Sequence, residues 1–221
     1  MKEKKTEQSV HIVMGNVTLD GDLTIPDGPK GIVLFAHGSG SSRKSPRNRY
    51  VASVLNKSKF ATLLFDLLTP EEETIDIQTR HLRFDIELLS TRLVGATDWL
   101  GQNKEVKDLS VGYFGASTGA AAALVAAVER PDVVHAVVSR GGRPDLAGKV
   151  LPSVQSPTLL IVGGDDPVVI DMNRGAMEQL GVDKKLVIVP GASHLFEEPG
   201  ALEKVAELAA DWFGLYIKRK I

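Results

Sequence analysis

Residues 111–119 read Val-Gly-Tyr-Phe-Gly-Ala-Ser-Thr-Gly and contain the pattern Gly-X-Ser-X-Gly at residues 115–119. The pattern joins a β-like run, 109–114, to an alanine-rich run with helical character, 118–130. On a tight turn from a strand into a helix, a serine hydroxyl projects clear of the sheet edge, and the flanking glycines avoid collisions with neighbouring backbone. The stretch therefore predicts a nucleophile at Ser117, although a glycine-flanked serine is also compatible with a simple helix N-cap.

Strand-like and helix-like stretches alternate on both sides of this turn. A hairpin within residues 10–25 precedes the first buried apolar run, and Ser45 followed by Pro46 is typical of the start of a helix. The polar stretch 69–77 is expected to be a loop. This alternation predicts a mostly parallel sheet with helices on both faces and with active groups on the loops beyond the carboxyl ends of the strands. The other predicted strands are 31–36, 60–68, 133–139, 158–162 and 185–189, and the other predicted helices are 78–100, 168–180 and one that begins near Pro199.

The composition is that of one globular domain covering residues 1–221, with 43% hydrophobic and 24% charged residues. Residues 1–9 are expected to form a poorly ordered polar lead. The formal net charge of −2 favours neither nucleic acid nor a membrane surface as a partner, and the absence of cysteine excludes a disulfide framework and a cysteine nucleophile. The N-terminus lacks the features of a secretory signal, and no apolar run approaches the about 20 residues of a membrane span, so a cytoplasmic location is expected.

Two further motifs follow predicted strands in the second half of the chain. Gly-Gly-Asp-Asp occupies residues 163–166, and His194 follows the strand 185–189. The order Ser117, Asp166, His194 resembles that of the α/β-hydrolase superfamily. The size, without an insertion long enough for a cap domain, is similar to that of the dienelactone hydrolase-like branch. The resemblance implies the α/β-hydrolase fold, with a mostly parallel, doubly wound sheet, an N-terminal antiparallel hairpin and no cap domain.

The resemblance also implies a role for each motif residue. Ser117 would be the nucleophile, His194 the general base, and Asp166 the acid that orients the imidazole. The backbone N–H groups of Thr118 and Ser39 would form the oxyanion hole, so the side chains of these two residues need not matter. The founding members of this branch use cysteine where this chain has Ser117, which favours an esterase over an enzyme specific for dienelactones.

Neighbouring residues compete for these roles. Asp165 lies in the same turn as Asp166 but would point in a different direction, and Asp145 follows the preceding strand. His37 lies on a loop after an earlier strand, at a position that usually shapes the oxyanion turn, so it is expected to be structural. His194 is the histidine that follows a late strand. Order and spacing therefore favour Asp166 and His194.

The predicted function is that of a serine hydrolase that cleaves a small ester or lactone through an acyl-enzyme intermediate. An acyltransferase or a thioesterase would use the same three residues, and a non-catalytic binding protein could share the fold, because a fold alone does not confer activity. No cofactor or metal is expected, since the sequence contains neither a phosphate-binding Gly-Lys-Ser/Thr loop nor a cluster of ligands with metal spacing. The oligomeric state is left open.

Basic residues cluster in two loops near the predicted site. Residues 43–49 include Arg47 and Arg49 and contain no acidic residue, and Arg140 follows the strand 133–139. Cations at the start of a helix oppose its dipole, so local helix energetics do not explain them. Two hypotheses follow. Either these side chains are solvated or pair with carboxylates such as those at 71–73, or at least one arginine binds an anionic group of the substrate.

Overall fold

A computed structural model describes residues 5–218 and shows an eight-stranded sheet with helices on both faces. Within this range no helix is both long enough and apolar enough to cross a membrane. The strands are β1 (Lys5–Met14), β2 (Val17–Pro26), β3 (Gly31–Ala36), β4 (Phe60–Phe65), β5 (Val111–Ala116), β6 (Val134–Arg140), β7 (Thr158–Gly163) and β8 (Lys184–Val189). The α-helices are α1 (Pro46–Lys57), α2 (Pro70–Thr79), α3 (Ile86–Gln102), α4 (Thr118–Glu129), α5 (Pro167–Gln179) and α6 (Ala201–Tyr216), with 3-10 segments at Leu82–Phe84 and Pro144–Ser153.

The strand order across the sheet is β1-β2-β4-β3-β5-β6-β7-β8. β1 pairs antiparallel with β2 and β2 with β4, and the remaining neighbours are parallel. The carboxyl ends of β3 to β8 therefore meet at one edge of the sheet, where a doubly wound fold places its ligands. Because β5 lies between β3 and β6, Ser117 stands in the middle of this edge. This is the predicted mostly parallel sheet with an N-terminal antiparallel hairpin.

The central strand β5 is buried on both of its faces. Val111 and Tyr113 face one apolar core, formed with α3, α4 and α5, whereas Phe114 faces a second core, formed with α1 and α6. The buried hydroxyl of Tyr113 shares a 2.6 Å hydrogen bond with the hydroxyl of Thr97 in α3, so its polar atom is satisfied. Packing on both faces fixes the position of β5 and of the turn that follows it.

β1 is longer than the sequence predicts. It begins at Lys5 and pairs with β2 as far as Pro26, so residues 5–9 belong to a strand and are not a poorly ordered lead. Their side chains are mostly exposed because β1 is the edge strand of the sheet. An edge strand tolerates polar residues, and a search for apolar runs therefore misses its beginning. Residues 1–4 of the expected lead lie outside the described part of the chain.

The segment after β4 is helical where the sequence predicts a loop. Thr69 is the N-cap of α2 and forms a reciprocal capping box with Glu72. The acidic run 71–73 is therefore the first turn of a helix, where negative charge is favourable. A capping box followed by a Pro-Glu-Glu start is a local signal that could have identified this helix.

The helix predicted at 78–100 is divided in two. The C-cap of α2 is Arg80, which has a left-handed backbone (φ 59°), and Asp85 caps the start of α3. The carboxylate of the buried Asp76 stabilises the break, because it accepts hydrogen bonds from the backbone N–H and the Nε–H of Arg83. Helical periodicity does not distinguish one helix from two when the break depends on such a side-chain contact.

The turn after β5 lies unusually close to the end of β3. A Cβ atom on Gly119 would lie 2.1 Å from the carbonyl oxygen of Ala36 and 2.6 Å from that of His37. A Cβ atom on Gly115 would lie 2.4 Å from the Cα of Ala120. These distances are far below van der Waals contact, so packing requires both glycines of the Gly-X-Ser-X-Gly pattern.

We expect Gly119→Ala to destabilise the protein by about 2 kcal/mol or more, because backbone atoms of β3 must move to admit the methyl group. Gly175→Ala is the matched control. Gly175 is exposed in α5 with no atom within 4 Å of an added Cβ, and alanine favours a helix over glycine by about 1 kcal/mol. Urea denaturation should therefore show opposite changes in the free energy of unfolding. A Gly119→Ala protein as stable as the wild type would contradict the close contact.

Candidate active site

Ser117 occupies the tip of the turn between β5 and α4 with φ 51° and ψ −122°, a conformation that residues with a side chain rarely adopt. Its N–H donates to the carbonyl of Arg140 at 3.3 Å, and its carbonyl accepts the N–H of Arg143 at 3.0 Å. Ser117 stands at the N-cap position of α4, but its side chain makes no capping hydrogen bond. The hydroxyl is therefore not used as a helix cap.

His194 and Asp166 come together at the same edge of the sheet. Asp166 lies in the turn between β7 and α5, and His194 lies in the loop between β8 and α6. The Nδ1 of His194 is 2.7 Å from the Oδ2 of Asp166, whose side chain is only 17% exposed. A carboxylate at Nδ1 favours the tautomer with a proton on that nitrogen, which leaves Nε2 as the nitrogen that can accept a proton.

The two competing acidic residues, Asp165 and Asp145, make other contacts. Asp165 is exposed, and its backbone N–H donates to the carbonyl of Ala192 at 3.0 Å. Asp145 pairs with the guanidinium of Arg143 at 2.8 Å. Of the three carboxylates considered from the sequence, Asp166 is the one bonded to His194. Within residues 5–218, no three His, Cys, Asp or Glu side chains form a group that could hold a metal ion.

The end of β6 touches both the serine turn and the histidine loop. Arg140 accepts the N–H of Ser117, and the next residue is Gly141 with φ 50°. A Cβ atom on Gly141 would lie 3.1 Å from the carbonyl oxygen of His194 and 3.5 Å from Cε1 of its ring. On the other side, a Cβ atom on Gly38 would lie 3.0 Å from the Cβ of Ser117. Ser117 is thus enclosed by the turns after β3 and β6, and the ring of His194 lies against the second.

The backbone N–H of Ser39 lies beside the serine turn but is already bonded. It donates to the Oγ1 of Thr118 at 3.1 Å, and Thr118 is buried. The Thr118 side chain therefore contacts one of the two backbone groups proposed from the sequence as oxyanion donors, a contact that the sequence did not predict. The pattern holds no signal for this contact, because the two residues meet only when β3 and β5 are paired.

His37 is buried beneath the turn that follows β3. Its Nδ1 lies 3.0 Å from the carbonyl oxygen of Gly38, and its Nε2 accepts the backbone N–H of Leu67 at 3.1 Å. The ring therefore ties the end of β3 to the end of β4. Burial lowers the pKa of His37, and the hydrogen bond to the Gly38 carbonyl opposes this effect without outweighing it. His37 is structural, as the sequence predicts.

Two of the three arginines considered from the sequence lie close together. Arg140 is buried at the end of β6, and the charge of Arg47 in α1 is near enough to lower its pKa. Arg47 in turn pairs with Glu197 of the histidine loop at 2.9 Å. Arg49 is exposed and lies in a groove between α1 and the N-terminal hairpin. The structure therefore brings together Arg47 and Arg140 but not Arg49.

Other basic residues of these loops are paired with carboxylates. Arg43 donates its backbone N–H and its guanidinium to Asp66 at the end of β4. Arg143 pairs with Asp145 in the same turn. The pairing hypothesis is therefore correct for these two residues, but their partners are not the acids at 71–73.

We expect stability to depend on pH through His37. The folded protein holds this ring neutral, whereas the unfolded chain binds a proton near pH 6.5. Above about pH 7 the ring is neutral in both the folded and the unfolded state, so it does not affect the free energy of unfolding. As the pH drops below about 6.5, the free energy of unfolding falls by at most about 1.4 kcal/mol per pH unit. His37→Gln offers an acceptor to Leu67 and does not titrate. Thermal unfolding from about pH 8 to about pH 5 should show a smaller loss for the variant. An equal loss would contradict the assignment.

Comparison with known proteins agrees with this architecture. The sequence profile of the dienelactone hydrolase family matches residues 19–216. A crystal structure of a dienelactone hydrolase from Anabaena variabilis is 66% identical to this chain, with a TM-score of 0.95 over 97% of this chain and 99% of that chain. A dienelactone hydrolase-like promiscuous phosphotriesterase from metagenomic libraries shares the fold, with 20% identity and a TM-score of 0.77 over 96% of this chain and 98% of that chain.

A curated relative from Mycobacterium tuberculosis is 60% identical over 207 residues, and its name proposes a phosphoribosyl transferase. The match covers 94% of this chain but 46% of the relative. This chain therefore spans about half the length of that protein, and the name describes the longer polypeptide. The family profile and the Anabaena structure both extend over most of the chain described above. The chain belongs to the dienelactone hydrolase family.

Proposed function

We propose that this chain is a serine hydrolase of small esters or lactones, with Ser117 as nucleophile, His194 as base and Asp166 as orienting acid. The observation that carries the proposal is the 2.7 Å contact between His194 Nδ1 and Asp166, at the sheet edge where Ser117 occupies a strained turn. Membership of a hydrolase family supports the same reaction class. A cytoplasmic location is part of the proposal.

In the proposed reaction, the Oγ of Ser117 attacks the carbonyl carbon of the ester while Nε2 of His194 removes the hydroxyl proton. Asp166 accepts the Nδ1–H of His194 and stabilises the imidazolium as it forms. The tetrahedral intermediate collapses when its bond to the alcohol oxygen breaks, and His194 transfers its proton to that oxygen. Water then attacks the acyl-enzyme with His194 as base, which releases the acid and regenerates Ser117.

The proposed oxyanion donors are the backbone N–H groups of Thr118 and Ser39. In the resting structure the Ser39 N–H is bonded to the Thr118 hydroxyl at 3.1 Å. An oxyanion is a stronger acceptor than a neutral hydroxyl, so it would displace the Thr118 side chain as charge develops. Thr118 therefore keeps the Ser39 N–H oriented before the substrate binds.

The alternative functions differ from ester hydrolysis in one respect each. An acyltransferase uses an acyl acceptor other than water, a thioesterase cleaves a different bond, and a binding protein catalyses no reaction. An acyltransferase or a thioesterase would use the same groups, and the substrate profile distinguishes them. A non-catalytic binding protein has no use for the strained backbone of Ser117, which costs on the order of 1–3 kcal/mol. Strain at the proposed nucleophile therefore favours a catalytic function.

Ser117→Ala and His194→Ala should each reduce kcat by on the order of 10³-fold or more, and the double variant should lose little beyond either single one. The reason is that nucleophile and base act as one unit. The measurement is a panel of short-chain esters, lactones and thioesters with purified wild type and variants. Substantial turnover of the best substrate by either single variant would refute the assignment.

A fluorophosphonate probe provides a readout that does not depend on the substrate. The wild type should be labelled on Ser117, and Asp166→Asn should be labelled more slowly because its histidine is less well oriented. Ser53→Ala is the control, since Ser53 is an exposed serine on α1, and its labelling should equal that of the wild type. Unchanged labelling of Ser117→Ala would exclude an activated serine at this position.

Ser117→Gly should be more stable than Ser117→Ala by about 1 kcal/mol, although both should be inactive. The backbone of residue 117, with φ 51° and ψ −122°, is easily adopted by glycine but strained for any residue with a Cβ atom. The midpoint of urea denaturation compares the two variants. Equal stabilities would mean that the turn stores no strain at this residue.

A further inference from the structure

Arg140 is a buried cation with no carboxylate partner among residues 5–218. The residue is 7% exposed, and its Nε and Nη1 are buried with no hydrogen-bond partner in the part of the chain that the structure describes. Arg43 and Arg143, by contrast, each pair with a carboxylate. An unpaired guanidinium in the protein interior is strongly unfavourable, and it is the arrangement expected of a group that binds an anion.

A second guanidinium lies beside it. Burial and, to a smaller extent, the charge of Arg47 lower the pKa of Arg140 to about 10. Arg140 nevertheless remains protonated at neutral pH. Its Cζ lies 6.0 Å from the centroid of the Phe196 ring, which supports the guanidinium from one side. The charge of the partly exposed Arg47 disfavours the charged form of the buried Arg140, and an anion bound to both would offset this repulsion.

Among the described residues, both of these arginine side chains have buried nitrogen atoms without a hydrogen-bond partner. The Nε of Arg47 is buried without a hydrogen-bond partner, like the Nε and Nη1 of Arg140 within residues 5–218. Within the described part of the chain, Arg47 makes one ion pair, between its Nη1 and Glu197, whose side chain is 63% exposed. Guanidinium groups present such N–H donors in a geometry that matches the oxygens of phosphate and carboxylate groups.

The two arginines adjoin the proposed reaction centre. The carbonyl of Arg140 accepts the N–H of Ser117, so the arginine and the nucleophile are held by the same backbone contact. Phe196 and Glu197 belong to the loop that carries His194. A group bound by Arg140 and Arg47 would therefore lie between the end of β6, the start of α1 and the histidine loop.

We infer that Arg140 and Arg47 form a subsite for a phosphate monoester group on the substrate. This inference rests on the proposed ester hydrolysis at Ser117. A phosphate monoester has a charge of about −1.5 to −2 at neutral pH, which balances the charges of two guanidinium groups. A carboxylate carries a single charge, so it would leave one of the two guanidinium charges without compensation. Glu197 is then an exchangeable counter-ion that leaves Arg47 when the phosphate binds.

The test uses three 4-nitrophenyl esters whose acyl chains have equal length and end in a phosphate monoester, a carboxylate or a methyl group. At low ionic strength the wild type should show kcat/KM for the phosphate ester on the order of 100-fold above the methyl ester and about tenfold above the carboxylate ester. Added salt should reduce both ratios. Equal values for the three esters would overturn the subsite, and a carboxylate ester as good as the phosphate ester would overturn its assignment to phosphate.

Arg140→Met should bring the ratio of kcat/KM for the phosphate ester to that for the methyl ester close to 1, because an apolar side chain replaces the cation that binds the phosphate. Glu197→Gln should raise the preference, since it frees Arg47. Arg174→Met is the matched control, because Arg174 is an exposed arginine that pairs with Asp171 on α5, and it should retain the wild-type preference. An unchanged preference in Arg140→Met would overturn the inference.

A binding measurement separates this inference from the proposed reaction. Inorganic phosphate is titrated calorimetrically into the wild type and into Arg140→Met, which requires no turnover. If none of the three esters is cleaved, the proposed function fails, and weaker binding of phosphate to the variant still supports the subsite. Equal binding by the two proteins would overturn the subsite whatever the activity.

Discussion

The contact between the turn after β5 and the end of β3 is the constraint on which the site depends. Gly119 lets the backbone of that turn reach the carbonyl oxygens of Ala36 and His37. The same approach places the Ser39 N–H against Thr118 and holds Ser117 in a conformation that a free serine would avoid. The strain persists because both faces of β5 are packed against apolar cores, so the turn cannot relax without disturbing them.

The buried polar groups at this sheet edge differ in whether they have hydrogen-bond partners within residues 5–218. His37 is neutral and bonded through both ring nitrogens, so it fixes the oxyanion turn without bringing a charge into the interior. The carboxylate of Asp166 is partly buried but bonded to His194. Arg140 departs from this pattern, because its charge is buried and its donors have no partner among residues 5–218. A protein interior tolerates such a group where a ligand satisfies it.

In the proposed function, chemistry and substrate selection belong to different parts of the fold. The proposed catalytic residues follow β5, β7 and β8, whereas the arginines lie at the end of β6 and the start of α1. The sequences of loops at a sheet edge can vary among related proteins while the strands that position the loops stay the same. A hydrolase family can therefore keep its reaction centre while its members differ in the groups that they bind.

The sequence by itself determined the features that depend on local backbone chemistry. Alternating apolar runs and the Gly-X-Ser-X-Gly turn predicted the sheet, and the rule for parallel strands brought the loops of Ser117, Asp166 and His194 to one edge. Only the tertiary structure decided which contacts the charged side chains make. Arg43 pairs with Asp66, and Arg140 lies over the ring of Phe196, and in both cases the two residues are far apart in the sequence. The start of β1, the break before α3 and the Thr118 contact depended likewise on partners outside the local pattern. Periodicity reports which face of an element is apolar, but a hydrogen bond or ion pair between distant residues exists only after the chain has folded.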